Sequence, residues 1–203
     1  LLSTNIGQVF TMIGALLFGL PLPVTAIQIL WINLVTDTAM VLPLGLEPAE
    51  DGHMKRPPRQ PKDPLLSKIL ISRMAAVALT MAGVTLIIVA ILVNQGQQIA
   101  YIQTVAFMAL VSAQWMNAFN ARSEYASSFS RITKINHGLT IGFVFGFILQ
   151  MLVMFGPLMS VFGIVKVPIA TLILTSGIMA LAILSVAELH KYIARSMLAS
   201  SKN

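Results

Sequence analysis

Six apolar stretches, divided by proline, glycine and charge, organise the chain. Each approaches or exceeds the roughly 20 residues that a helix needs to cross a bilayer. The pattern predicts a first helix over Leu1–Leu20, closed by Gly19 and the turn Pro21-Leu22-Pro23. A second runs over Val24–Leu44 with Pro43 near its end, and a polar loop follows over Glu47–Pro64. The third, Leu65–Val93, is longer than a span, so its start is expected to lie in water. The fourth covers Gln98–Asn120, the fifth Leu139–Phe155 and the sixth Pro168–His190. Glycine and proline mark most of these ends. No internal repeat or low-complexity tract is present. The predicted class is all-α: a polytopic membrane helix bundle with six transmembrane helices.

Composition agrees. The 203 residues are 57% hydrophobic and 10% charged, with a mean hydropathy of +0.85. A soluble domain carries about 25% charged residues. There is no cysteine, which excludes disulfides and thiolate metal sites. The formal charge is +6, but no basic patch is interleaved with aromatics, so no nucleic-acid partner is expected.

Charge position orients the bundle. Lys55, Arg56, Arg59, Lys62, Lys68 and Arg73 follow the second helix, and Arg122, Arg131 and Lys134 follow the fourth. Lys191, Arg195 and Lys202 end the chain. Twelve of the thirteen Lys and Arg thus fall on one side, and only Lys166 lies opposite. The positive-inside rule makes the basic loops and the C-terminus cytoplasmic. The expected setting is the lipid bilayer of a multi-pass protein in a prokaryotic plasma membrane. The chain starts inside an apolar run, without Met, basic n-region or cleavage site, so Leu1 reads as an internal position of a longer protein.

Asp37 is the acid buried deepest in an apolar run, and a carboxylate there costs roughly 2.5 kcal/mol or more. Asn33, Thr36 and Asp37 share a helical face by spacing. Three oxygen-bearing side chains at membrane depth suit a hard cation. Asn5 and Gln8 share a face of the first helix, and Gln114 and Asn117 a face of the fourth. Interhelical hydrogen bonding is the alternative role for these amides. Glu188 is read as solvated at the last helix's end, and the twelve Met as packing filler. Pro43, six residues after Asp37, favours local unwinding, which frees backbone carbonyls.

The run Trp31-Ile32-Asn33-Leu34-Val35-Thr36-Asp37, with Gly45-Leu46-Glu47-Pro48 and Met54-Lys55-Arg56-Pro57-Pro58-Arg59, closely resembles the sixth membrane helix and following loop of calcium-type P-type ATPases. Ser3-Thr4-Asn5-Ile6-Gly7 resembles the family's fifth helix, and Gln114-Trp115-Met116-Asn117-Ala118-Phe119-Asn120 gives a local match in a later one. The resemblance runs the full length and implies family helices five to ten. Residues 1–46 would then be transport-site helices, 47–64 a cytoplasmic coupling loop stiffened by its prolines, and 65–203 support helices and tail.

What the resemblance implies at the site is specific. Asn33 and Asp37 match a retained cation site. Thr36 and Asn5 match a second, which Asp37 also serves. Gln8 and Gln114 stand where two-calcium pumps carry glutamates, leaving weakened second-site positions. One Ca2+ per cycle is therefore expected. Mn2+, Na+ or K+ is the alternative cargo, and an ATP-independent transporter or channel the alternative class. The sodium–potassium branch carries an acid at the Asn33 position, so Asn33 favours the calcium-like branch. These 203 residues hold no D-K-T-G or T-G-E-S motif and hence no catalytic residue. ATP, Mg2+ and a further ligand-bearing helix are implied in other parts of the same protein, which are its expected partners.

Overall fold

The computed structural model describes residues 2–45, 67–122 and 137–200, and these contain helices and no strand. In order they are α1 (Leu2–Leu17), α2 (Ala26–Trp31), a π-helical turn (Ile32–Thr36), α3 (Asp37–Gly45), α4 (Lys68–Asn94), α5 (Ile99–Ala121), α6 (His137–Phe155) and α7 (Ile169–Ser200). The elements from Ala26 to Gly45 form one continuous rod. That rod and α4 to α7 are each long and apolar enough to cross a membrane, whereas α1 is apolar over 16 described residues. The expected helix ends hold to within three residues except at the last. The residues of the predicted loop Glu47–Pro64, with Arg131, Lys134 and Lys202, lie outside the described residues.

The ends have local causes. After α1, Gly19 takes φ 64°, and Leu20 N–H reaches back to Ala15 C=O at 2.8 Å. This left-handed closure satisfies carbonyls that a helix end leaves open. Gly96 (φ 69°) closes α4 in the same way, with Gln97 N–H on Leu92 C=O at 3.1 Å, and the closure recurs at Gly163. Thr25 and Gln28 form a capping box at the start of α2. Ser67 Oγ accepts from Leu70 N–H at 3.1 Å to start α4.

The last helix runs ten residues past its expected end at His190. Hydropathy falls there, but no glycine or proline lies between His190 and Ser200. Lys191 is fully buried and pairs with Glu188 at 3.5 Å, and the His190 ring shares a 2.7 Å hydrogen bond with Ser72 Oγ on α4. Packing against α4 therefore carries the helix beyond its apolar part, and Glu188 is held in a pair rather than simply solvated.

α5 is the centre. Val105, Ala106, Phe107, Ala109, Leu110, Val111 and Ala113 are all fully buried. Its alanines permit close helix approach, the main source of association where lipid is as apolar as the side chains. α1 lies on α4 at two glycines seven residues apart. A Cβ on Gly7 would stand 3.3 Å from Ala78 C=O, and one on Gly14 2.5 Å from Leu86 Cδ1. Outside, Leu17, Phe18, Ile141 and Ile173 are each more than two-thirds exposed, an apolar skirt suited to lipid.

Phe107→Ala is expected to cost about 3–5 kcal/mol, by cavity formation in the central helix. A clearly lowered thermal midpoint in detergent is the outcome to look for; an unchanged midpoint would remove α5 from the centre of the stability argument.

Candidate cation site

The π turn places the central residues. Asp37 N–H donates to Ile32 C=O, five residues back. Such single wide turns are frequent at functional sites. The expected loosening of the second helix is thus present, but it lies before Asp37, while Pro43 stays within helical α3. The wider winding also separates residues that ordinary helical spacing would align. Thr36 and Asp37 are buried, at 2% and 5% exposure, whereas Asn33 is exposed.

Asp37 Oδ2 is buried and has no hydrogen-bond partner. The same holds for Asn5 Oδ1 and Gln8 Nε2 on α1, and for both Gln114 amide atoms on α5. A buried polar group left unpaired costs about 1–3 kcal/mol, and hydrocarbon offers no water as a substitute. Three of the five are oxygens able to ligate a cation, Asp37 Oδ2, Asn5 Oδ1 and Gln114 Oε1, and two are amide donors that cannot. All four residues are among those the sequence singles out.

α5 connects the two flanking elements. It contacts α1 on one side and the π turn and α3 on another. Asn117 Nδ2 donates to Ser3 Oγ at 3.1 Å, which ties α5 to α1 one turn beyond Gln114. Asn117 thus takes the interhelical role, and Gln114 does not. No group of three or more His, Cys, Asp or Glu that could hold a metal occurs among the described residues. The donor set is amide, hydroxyl and one carboxylate, the chemistry of a hard cation rather than a transition metal.

Several residues that fix this geometry were not singled out from the sequence. Gln28 Nε2 donates to Phe162 C=O at 2.9 Å, Trp31 Nε1 to Gln150 Oε1 at 2.9 Å, and Val165 N–H to Thr104 Oγ1 at 3.1 Å. The Thr25-x-x-Gln28 capping pattern was a readable signal for the first. The other two join residues 119 and 61 positions apart, and no local pattern marks them.

Residues 21–193 match the family model described as "Cation transporting ATPase, C-terminus". Among curated proteins, the chain is 38% identical over 184 residues to a calcium-transporting ATPase of Bacillus subtilis, covering 89% of this chain and 20% of that protein. It is 31% identical over 197 residues to calcium-transporting ATPase type 2C member 1 of Pongo abelii, covering 96% and 21%. A probable cation-transporting ATPase F of Mycobacterium tuberculosis is 31% identical over 159 residues, covering 78% and 18%. The chain spans about a fifth of the length of these relatives.

Gln114→Leu removes two unpaired buried atoms at similar shape, and such replacements are neutral or stabilising. The thermal midpoint in cation-free detergent is expected to hold or rise. A clear fall would mean that the amide already has a structural partner.

Proposed function

Because this chain belongs to the C-terminal family of cation-transporting ATPases, we propose that it forms the membrane part of an ATP-driven pump carrying Ca2+, one ion per cycle, by alternating access. The observation that carries this reading is the set of unpartnered buried oxygens on Asn5, Asp37 and Gln114, joined through α5. The names of the relatives support calcium as cargo. In this reading ATP and Mg2+ act in other domains of the same protein, and the basic loops and tail face the cytoplasm where those domains stand.

Asp37 supplies the negative charge. Thr36 and Asn5 add oxygen ligands beside it, and Asn33 faces outward toward a helix supplied by the rest of the protein. In this arrangement residues 1–46 bear the ion, 47–64 couple it to the phosphorylated domain, and 65–203 support the site. Gln8 and Gln114 offer amide oxygens but no charge. Two divalent ions about 6 Å apart repel by roughly 11 kcal/mol at an effective dielectric of about 20. A site with one carboxylate on these helices offsets little of that, which supports a single ion.

Asp37→Asn in the full-length pump is expected to abolish ion-dependent phosphorylation from ATP while leaving membrane insertion intact. Normal ion-dependent phosphoenzyme in that variant would remove Asp37 from the site. Equilibrium binding of radioactive Ca2+ should give one ion per phosphorylation site; a value of two would refute the single-ion reading.

A further inference from the structure

We propose that α6 is a two-point clamp on the π turn, and that Gln150 is a positioning residue for the cation site although it stands outside it. This rests on the reading of Asp37 as a cation ligand.

The first point holds the residue just before the π turn. Trp31 Nε1 donates to Gln150 Oε1 at 2.9 Å, and Gln150 is 1% exposed. The other end of its amide, Nε2, lies 3.9 Å from Met108 Sδ on α5. Gln150 therefore has little freedom to follow Trp31 if the indole moves. The ring of Trp31 also stands edge-on to Phe162, at 5.0 Å and 75°. Phe162 C=O in turn holds Gln28, one turn earlier on α2.

The second point lies beyond the π turn. Gly142 on α6 comes so close to the rod that a Cβ there would collide with Ala39 C=O and stand 2.9 Å from Pro43 Cγ. One turn along, a Cβ on Gly146 would meet Ala39 Cβ at 3.4 Å. Pro43 lacks the N–H that would have bonded Ala39 C=O within the helix. Gly142 thus shields a carbonyl that the proline has left open, and no larger residue fits there.

Both points belong to one unbroken helix, Gly142 to Gln150, so their spacing is fixed by α6. The facing rod must fit Trp31 through Ala39 between them. A π turn takes one residue more per loop than an α turn does. The clamp sets the register at both ends, and the extra residue is held at Ile32–Thr36. Without the indole–amide bond the upstream end can rotate, and the turn can relax to ordinary α winding. That rotation moves Asn33 relative to Thr36 and Asp37. Gln150 touches no cation, yet it fixes how the ligands on either side of the turn face one another.

The test is a double-mutant cycle in the full-length protein with Trp31→Phe, Gln150→Met and their combination. Two quantities are read: the Ca2+ concentration for half-maximal phosphorylation from ATP, and the thermal midpoint in detergent. Each single change should raise the half-maximal concentration roughly three- to tenfold, the range of one net hydrogen bond, at unchanged maximal phosphoenzyme. The double variant should match the singles rather than multiply them. An unchanged half-maximal concentration with a lowered midpoint would make the bond merely structural and overturn the proposal, as would multiplicative effects. If Gln150→Met fails to fold, Trp31→Phe, which keeps a ring against Phe162, decides alone. Asp37→Asn measured alongside separates the two claims. Loss of phosphoenzyme there with no shift from Trp31→Phe sinks the clamp only. Normal phosphoenzyme in Asp37→Asn sinks the site reading and the clamp with it.

Discussion

A polar group inside hydrocarbon has no water to turn to, and the rest of this bundle is arranged around that constraint. Backbone groups meet it by staying helical or by closing on themselves at glycine turns. Hydroxyls meet it by bonding back to their own helix, as Thr11 does to Gly7 and Thr85 to Met81. Long amides meet it across helices, as Gln28, Gln150 and Asn117 do. Against this background the unpaired atoms of Asn5, Gln8, Asp37 and Gln114 stand apart. Trp115 Nε1 and Ser176 Oγ are also unpartnered, but only the first set joins other oxygens to a carboxylate, that of Asp37.

The constraint also separates what was legible in the sequence from what was not. Membrane helices are written in composition, because hydrocarbon admits little else, so six apolar runs and their breaks could be placed to within a few residues. Where charged residues begin to alternate with apolar ones, hydropathy stops reporting helix and reports depth instead. That is why α7 outran its expected end: Lys191 is buried by protein, not by lipid. The candidate site residues were legible as candidates for a related reason, since an acid or a pair of amides inside an apolar run is costly wherever the chain goes.

Their mutual orientation was not legible. A spacing of three or four residues aligns side chains only if the winding is regular, and here it is not. The π turn buries Thr36 and Asp37 and leaves Asn33 outside. Nothing within five residues dictates that turn. The contacts that flank it lie on α6 and between α6 and α7, more than a hundred positions away. Proline was the visible irregularity, and it drew attention to Pro43, yet the helix passes through that residue with its open carbonyl shielded by a glycine.

The glycine closures after α1, α4 and α6 bear on motion. Interlocking bonds tie the same end of the bundle together: Gln103 to Leu22, Gln28 to Phe162 and Val165 to Thr104 all join turns or helix starts there. The connections at the other end cover residues 46–66 and 123–136. Helices fastened this way behave like the ribs of a fan. At the opposite end the helices meet at fewer such points among the described residues, Asn117 with Ser3 and His190 with Ser72. If the proposed site is the cargo site, a force applied through residues 46–66 and 123–136 would reach Asp37 as a change of tilt, with the glycine-closed end acting as the pivot.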